Sequence, residues 1–236
     1  EWATVGDARF TYAVEPSLYI YNGTLYVAHR NYEGSVMKYD GTQWTTVGTG
    51  YFSESTSRYP SLYVYNGKPY VAYQDLAYDS KATVRMFDGT KWKTVGNAGF
   101  SAGDAGAPSI FVYNGIPYVA YTEEYPTGTF KVRVMMHNGT NWTPAGTTGY
   151  QSYGYPSLYI YNGTPYLAYE DGANGNKATV KKFDGTGWMN VGNAGFSQGA
   201  AAILPRSLYV YNGTPYVAYM DDANGGKATV MKFDGI

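Results

Sequence analysis

Short runs in which two kinds of side chain alternate recur along the whole chain, and residues typical of turns flank each run. SLYVY from Ser61 and PYVAY from Pro69 are typical, and Asn66-Gly67 lies between them. Alternation with a period of two predicts a β-strand with one buried face. Asn-Gly favours the two-residue hairpin turn in which both central residues have positive φ. The pattern therefore predicts a series of antiparallel hairpins.

The hairpin sequence is an internal repeat. Its five copies begin 44, 48, 48 and 50 residues apart, at Ser17, Ser61, Ser109, Ser157 and Ser207. A second block, of the type MFDGTKWKTVG, follows each of the first four copies. The fifth copy ends at KFDGI, and the part that it lacks stands at the start of the chain as EWATVG. Five units of about 47 residues therefore form one continuous repeat, with the last unit divided between the two ends.

Each unit holds four runs with strand composition, which predicts an all-β fold, a five-bladed β-propeller with four antiparallel strands per blade. We expect one domain, residues 1–236, with blades at approximately 16–48, 60–96, 108–146, 156–192, and 206–236 together with 1–6. The N-terminal strand carrying Trp2 is expected to complete the last blade and close the ring. A linear β-solenoid is the alternative, and it leaves the divided repeat unexplained.

The two faces of such a ring differ. The Asn-Gly and Asp-Gly turns are tight, so one face is nearly bare, whereas the other carries the second-to-third-strand loops and the long crossovers between blades. A ligand site is expected on this loop face. Aromatic residues that recur in every unit are expected to pack between blades: Trp2, Trp44, Trp92, Trp142 and Trp188 on the fourth strand, and Phe10, Phe52, Phe100, Tyr150 and Phe196 in the crossovers.

Composition narrows the function classes. The formal net charge is -1 and charged residues make up 15% of the chain, which gives no broad patch for nucleic acid or an anionic membrane. With no cysteine, the chain has no disulfide, thiolate nucleophile or Cys-ligated metal. No apolar stretch approaches a membrane span, and the absence of a signal peptide and initiator Met indicates a mature or excised segment.

Metal and cofactor sites are not expected. The segments DGANGN (171–176) and DDANGG (221–226) are rich in Asp and Asn, as calcium loops are. Neither has the alternating ligands and terminal Glu of an EF-hand, so both are interpreted as turns.

Carboxylates recur directly after the second strand, at Asp75, Glu123, Asp171 and Asp221. A lysine follows each at the base of the same hairpin: Lys81, Lys131, Lys177 and Lys227. In the first blade Asn31 and Glu33 replace both partners, which favours a structural ion pair across the strands. The same four acids are also predicted to contribute to a ligand site on the loop face.

Catalysis is not expected from these residues. A glycosidase needs carboxylates that converge on one pocket, and the first strands, which run closest to the axis, contain none. His29 and His137 are the two histidines. His137 stands at the Phe position of the Phe-Asp-Gly turn and is interpreted as packing. His29 replaces a tyrosine present in the other blades and lies beside Arg30 over the shortest loop, so both are candidate site residues.

The strings NGTPYVAY, KATVMKFDG and PSLYVYNG resemble the tandem repeats of secreted or surface proteins of bacteria, over the whole chain. The resemblance implies an extracellular or cell-surface location. In ring size the chain is similar to tachylectin-2, a five-bladed lectin, although the sequence signatures of that lectin are absent. The likeness is therefore one of architecture only.

Tyrosine gives the functional prediction. Of the 28 tyrosines most belong to the repeat, but several lie in loops of the loop face: Tyr51, Tyr59, Tyr78, Tyr125, Tyr153 and Tyr155. A tyrosine ring with its hydroxyl suits hydrated ligands such as sugars, and it suits protein contacts equally. The prediction is a non-catalytic, lectin-like carbohydrate-binding module that acts as a monomer. The alternatives are a structural or protein-interaction domain and, less favoured, a glycoside hydrolase.

Overall fold

The computed structural model describes residues 1–7, 13–124 and 128–235. Within them the chain forms five antiparallel sheets arranged in a ring, with almost no helix. The predicted all-β, five-bladed propeller is confirmed. In the first, second and fourth sheets along the chain, each strand is hydrogen-bonded to the next strand in sequence.

The first three sheets contain thirteen strands. Blade 1 consists of β1 (Val14–Tyr21), β2 (Thr24–Asn31), β3 (Glu33–Tyr39) and β4 (Trp44–Thr46). Blade 2 consists of β5 (Ser57–Tyr65), β6 (Lys68–Asp75), β7 (Lys81–Phe87) and β8 (Trp92–Thr94). Blade 3 consists of β9 (Ala105–Tyr113), β10 (Ile116–Glu124), β11 (Phe130–His137) and β12 (Trp142–Pro144), with the short β13 (Tyr150–Gln151) paired to β11.

The last two sheets contain the other eight strands. Blade 4 consists of β14 (Ser157–Tyr161), β15 (Thr164–Asp171), β16 (Lys177–Phe183) and β17 (Trp188–Asn190). Blade 5 consists of β18 (Ala201–Ala202), β19 (Leu208–Tyr211), β20 (Thr214–Asp221) and β21 (Lys227–Lys232), of which β18, β19 and β21 all pair with β20. The described residues hold three single-turn 3-10 helices, Leu76–Tyr78, Gly172–Asn174 and Asp222–Asn224, and none of them is long enough to cross a bilayer.

The hairpin turns have the geometry that the sequence predicts. Asn66 and Gly67 both have positive φ, 48° and 72°, and the equivalent Asn-Gly pairs of the other blades match them. Positive φ is sterically unfavourable for a residue with a Cβ atom. Glycine adopts it freely, and asparagine tolerates it better than most other residues. The turns keep one face of the ring compact and leave the crossovers on the other.

Packing between successive blades uses the aromatic residues that the repeat contains. The indole nitrogen of Trp188 donates to the carbonyl of Ala145 in the preceding blade at 2.7 Å, and Trp92 and Trp142 make the same bond. Phe100 stacks on Trp142 with ring centroids 4.2 Å apart. Phe52, Tyr150 and Phe196 also contact aromatic rings of the following blade. The packing role is thus confirmed for these residues, while Phe10 lies outside the described ones.

Four clusters of buried side chains fill the interfaces between consecutive blades, from blades 1 and 2 to blades 4 and 5. A serine clamps each of these interfaces. Its hydroxyl accepts the backbone N–H of the residue that follows the equivalent serine in the next blade, as Ser109 does from Leu158 at 3.1 Å. Within the described residues, no such cluster joins blade 5 to blade 1.

The interface between blades 5 and 1 is called the seam here. Leu18 and Ile20 of β1 are 51% and 59% exposed, whereas the equivalent Leu62 and Val64 are 0% and 2% exposed. Residues 1–7 form no strand, and no pairing with β21 is found in the described residues. Residues 1–7 therefore do not form the predicted strand that would complete blade 5 and close the ring.

Trp2 is fully exposed. Val5 nevertheless lies where the repeat predicts it relative to blade 1, because its carbonyl accepts the indole N–H of Trp44 at 2.8 Å. A cavity of 160 Å³ lies beside β21, with Val191, Phe196, Met231 and Phe233 among its lining residues. This is where the repeat pattern would seat the indole of Trp2.

Candidate functional site at the axial mouth

A polar cavity of 280 Å³ opens at the loop face, between blades 2, 3 and 4. We call it the mouth cavity. Its walls combine charged, amide and aromatic side chains: Arg58, Tyr59, Gln74, Asp104, Thr122, Glu124, Phe130, Tyr153 and Tyr155. Such a mixture suits a ligand that presents both hydroxyl groups and apolar faces.

The entry of each first strand brings one side chain to this face. Glu15 and Tyr59 occupy the same position, directly before a proline, and both have left-handed backbone with φ of 54° and 52°. The strand register shifts beside both residues, as a β-bulge does. The carboxylate of Glu15 accepts the guanidinium of Arg30 at 2.9 Å and the backbone N–H of Tyr59 at 2.7 Å. It is thereby fixed between blades 1 and 2.

A second position contributes a different side chain in every blade. It lies one residue before the end of the second strand in blade 2 and is occupied around the ring by Arg30, Gln74, Thr122, Glu170 and Met220. Thr122 donates to the carbonyl of Gly154 at 2.6 Å. Gln74 is buried, and its carbonyl oxygen has no partner among the described residues. These variable residues, unlike their constant neighbours, make the mouth asymmetric.

Glu170 has an unusual environment for a carboxyl group. Burial raises its pKa, the nearby charge of Asp222 adds to the rise, and the N–H of Ile203, 3.2 Å from one oxygen, partly opposes it. The carboxyl group lies so close to Gly154 that a Cβ atom there would be 1.8 Å from it. Glycine at position 154 is thus what lets Glu170 approach the wall of the mouth cavity.

Tyr155 connects the two carboxylates. Its ring lies 5.7 Å from that of Tyr59. The pKa of Tyr155 is raised mainly by burial, and further by its hydrogen bond with Tyr59 and by the negative charges of Glu15 and Glu170. One phenol therefore lies within the electrostatic reach of a desolvated carboxyl on one blade and an ion-paired carboxylate on another.

The four acids at the end of the second strand have structural partners. They are 1–6% exposed. Asp75, Asp171 and Asp221 cap the 3-10 helices, accepting the N–H of Ala77, Ala173 and Ala223. Glu123 accepts the N–H groups of Ala102 and Gly103 and the guanidinium of Arg133 at 3.1 Å. These bonds shape the loops and direct the carboxylates away from solvent, and their ligand role stays a prediction.

The predicted lysine partners face these acids in register, since Asp75, Glu123, Asp171 and Asp221 lie opposite Lys81, Lys131, Lys177 and Lys227. The geometry that the sequence predicts is therefore present. The carboxylates of Asp171 and Asp221 nonetheless accept backbone N–H groups and neighbouring side-chain donors. Glu123 also forms an ion pair with Arg133, which lies two residues beyond the lysine.

His29 and Arg30 point to different surroundings. His29 is buried, its Nε2 lies 2.9 Å from the hydroxyl of Ser35, and burial lowers its pKa. It is a neutral residue in the interior of blade 1. Arg30 reaches the loop face and pairs with Glu15, which raises the pKa of the guanidinium. The structure therefore separates two residues that the sequence places together.

The loop tyrosines divide into two groups. Tyr59, Tyr153 and Tyr155 line the mouth cavity. Tyr51 and Tyr78 are exposed and are not among its lining residues, and Tyr125 lies outside the described residues. The ligand-binding role of all six stays a prediction.

Sequence reasoning missed Glu15, Arg58, Gln74 and Glu170. A signal for two of them was available: Gln74 and Glu170 belong to a position that changes in every blade while its neighbours hardly change. Within the described part of the chain, no group of three or more His, Asp or Glu side chains is arranged to hold a metal ion.

No family model matches the chain, and no curated protein is similar to it in sequence. Solved structures do match. One is a thermostable family-43 glycoside hydrolase, with 15% identity, 95% of this chain and 91% of that chain covered, and a TM-score of 0.51. Another is Zg3597, a family 117 glycoside hydrolase of the marine bacterium Zobellia galactanivorans, with 16% identity, coverage of 94% and 84%, and a TM-score of 0.52. A third is YjhT, with 14% identity, coverage of 98% and 84%, and a TM-score of 0.58.

At these identities the likeness shows the fold. It also corrects two expectations, that the chain is a non-catalytic lectin-like module or interaction domain and that it is not an enzyme, because the two neighbours with a stated activity are glycoside hydrolases. The error has a physical origin. The prediction considers the central segments of the first strands, whereas Glu15 lies at the entry of β1 and Glu170 lies one residue before the end of β15. The likeness to tachylectin-2 and to bacterial surface repeats is not confirmed.

Proposed function

We propose that the chain hydrolyses glycosidic bonds at the mouth of the ring axis. The observation that carries the proposal is the pair of unlike carboxyl groups that act on Tyr155. Glu170 is desolvated and has a raised pKa, whereas Glu15 is held by Arg30 and by a backbone N–H. Two carboxyl groups whose environments differ in this way are what glycoside hydrolysis requires.

Each carboxyl group has one role in this reaction. Glu170 keeps its proton to a higher pH than an ordinary glutamic acid, so it serves as the general acid that protonates the leaving oxygen. Glu15 serves as the carboxylate that activates water or attacks the anomeric carbon. Because Arg30 and the N–H of Tyr59 bind Glu15, its carboxylate is oriented before substrate arrives.

The aromatic and polar residues of the mouth cavity hold the sugar. The rings of Tyr59 and Tyr155 give a surface on which the C–H face of a sugar packs. Arg58, Gln74 and Asp104 supply donors and acceptors for its hydroxyl groups. The glycoside hydrolases with a similar ring support a carbohydrate as the substrate class. An extracellular site of action and a monomeric state, both predicted from the sequence, are compatible with this function and remain predictions.

A hydrolysis screen tests the proposal. The protein is incubated with a panel of neutral and acidic oligosaccharides, and release of reducing ends is measured. For a substrate that is cleaved, we expect E170Q and E15Q each to lose more than about 100-fold in kcat/KM, since general acid–base groups contribute about 10² to 10⁴. Wild-type activity should fall as the pH rises through the raised pKa of Glu170, because its proton is then lost.

The matched control is E54Q. Glu54 is an exposed glutamate whose partner is Arg85, and it is not among the residues of the mouth cavity, so its replacement should leave kcat/KM unchanged. Equal activity of E170Q and wild type on a cleaved substrate would refute the assignment. No hydrolysis of any member of a broad panel would refute the function itself.

A further inference from the structure

A second cavity lies on the ring axis, and the reaction proposed above does not use it. Its volume is 220 Å³. Its walls are the aromatic rings that the five first strands direct at the axis: Tyr19, Tyr63, Phe111, Tyr159 and Tyr209. Successive rings are in contact, with centroids 4.6 to 5.1 Å apart from Tyr19 round to Tyr209. The result is a curved aromatic wall, open on one side.

Arg206 occupies the open side. Its guanidinium lies 5.5 Å from the ring centre of Tyr19 and donates to the carbonyl of Leu18. In the other four blades a proline stands at this position: Pro16, Pro60, Pro108 and Pro156. Arg206 has φ of 70°, a value that the proline ring excludes. Blade 5 therefore departs from the repeat in both side chain and backbone, and the departure puts a cation on the axis.

The cation has no carboxylate partner in the part of the chain that the structure describes. The four ion pairs there involve Arg30, Arg85, Lys93 and Arg133. A guanidinium has five N–H donors, and the bond from Arg206 to Leu18 uses one nitrogen. Arg206 is exposed, so the donors that remain can reach a ligand that enters the cavity.

We propose that the axial cavity binds the carboxylate of an acidic sugar, a hexuronate, with Arg206 as its guanidinium partner and the aromatic wall against the sugar ring. The planar fork of arginine matches a carboxylate, and amphipathic rings match the C–H face of a sugar. The cavity is smaller than the roughly 300 to 1,000 Å³ of sites for drug-sized ligands, so it takes one sugar unit. The choice of a sugar rests on the proposed function, whereas the choice of an anion rests on Arg206 alone.

Calorimetry with matched sugars tests the inference. D-Galacturonate and D-glucuronate are compared with D-galactose and D-glucose, which share the ring and lack the carboxylate. The acidic sugars should bind at least about tenfold more tightly, and more weakly as salt is added. R206Q should remove the difference, and R206K should retain part of it because a charge without the fork remains.

Three variants test whether the acidic sugar binds in the axial cavity. R58Q removes the arginine of the mouth cavity, so a loss of uronate binding in R58Q but not in R206Q would overturn the assignment to the axis. K93Q removes a cation that pairs with Asp88 at a hairpin turn and should bind as wild type does. If Arg206 only joins blades 5 and 1, R206Q will lower the melting temperature and all four sugars will bind alike to the wild-type protein, which refutes the proposal.

The melting temperature of each variant is recorded, and if R206Q does not fold, R206K and the salt dependence decide. The hydrolysis screen fails or succeeds separately. A protein that binds uronate through Arg206 but cleaves no oligosaccharide would refute the proposed function and keep this inference. A protein that cleaves neutral substrates and binds galacturonate and galactose alike would keep the proposed function and refute this inference.

Discussion

Four of the five contacts between neighbouring blades are built alike, and the seam between blades 5 and 1 is not. At each of the four, an apolar cluster is buried and a serine hydroxyl accepts a backbone N–H of the next blade. At the seam the same apolar positions, Leu18 and Ile20, are more than half exposed. The repeated sequence thus forms the same interface only where two complete blades pack against each other.

The comparison extends to the functional residues. Glu15 binds the N–H of Tyr59 in the next blade, and Glu170 binds the N–H of Ile203 in the crossover that leads to blade 5. Both carboxyl groups therefore link elements of the well-packed arc. Arg206, by contrast, spans the seam, where it donates to the carbonyl of Leu18 and contacts the ring of Tyr19. The two carboxyl groups thus lie where buried interfaces stabilise the ring, whereas Arg206 lies at the exposed seam.

The largest expected difference concerns tryptophan. Trp188 is buried and donates to Ala145, so W188A should lower the free energy of unfolding by about 3 to 5 kcal/mol. Trp2 is exposed, so W2A should cost less than about 0.5 kcal/mol. Denaturant unfolding of the two variants measures both values. An equal cost would mean that Trp2 fills the cavity beside β21 in solution and that the ring closes as the sequence predicts.

The repeat made most of the fold predictable. Five copies of the same pattern predict the Asn-Gly turns, the number of strands and the packing residues. Each of these features depends on local sequence. Trp2 is the exception, because its place depends on a strand pairing between the two ends of the chain, which no local preference enforces. The site was harder for a related reason. Glu170 stands at a position that differs in every blade, and Arg206 is a single departure from a repeated proline. The role of each depends on a neighbour, Gly154 or Tyr19, that only the folded ring supplies.

The serine clamps give the next largest contrast. Ser109 is buried and accepts the N–H of Leu158, so S109A leaves a buried donor without its partner and should cost about 1 to 3 kcal/mol. Ser207 instead accepts the exposed N–H of Leu204, within its own crossover. S207A should therefore change stability by less than about 0.5 kcal/mol. The same unfolding experiment decides, and a similar cost for both would show that the seam is clamped in solution as the other interfaces are.

Protonation of Glu170 gives a smaller, pH-dependent contrast within the arc. Its pKa is raised in the folded state, so folding favours the protonated form. The resulting stabilisation is complete below the unfolded pKa of about 4.3 and is lost as the pH rises through the raised value. Each unit of the shift corresponds to about 1.4 kcal/mol. Unfolding measured from pH 4 to pH 8 should show this loss in wild type and not in E170Q, and identical pH profiles would contradict the burial of the carboxyl group.

The smallest effect on stability is expected from Gly154, although its effect on chemistry is large. In G154A the new Cβ atom would overlap the carboxyl group of Glu170, which is the flexible end of a side chain and swings away at little cost. The free energy of unfolding should change by less than about 1 kcal/mol. Glu170 would then return to solvent, so the pH dependence of stability should flatten and the hydrolytic activity should fall toward that of E170Q. G187A is the matched control, because a Cβ atom at Gly187 meets no atom within 4 Å, and it should keep both properties. A G154A protein with full activity and an unchanged pH profile would mean that Glu170 acts from solvent. The close approach of its carboxyl group to Gly154 would then have no role in catalysis.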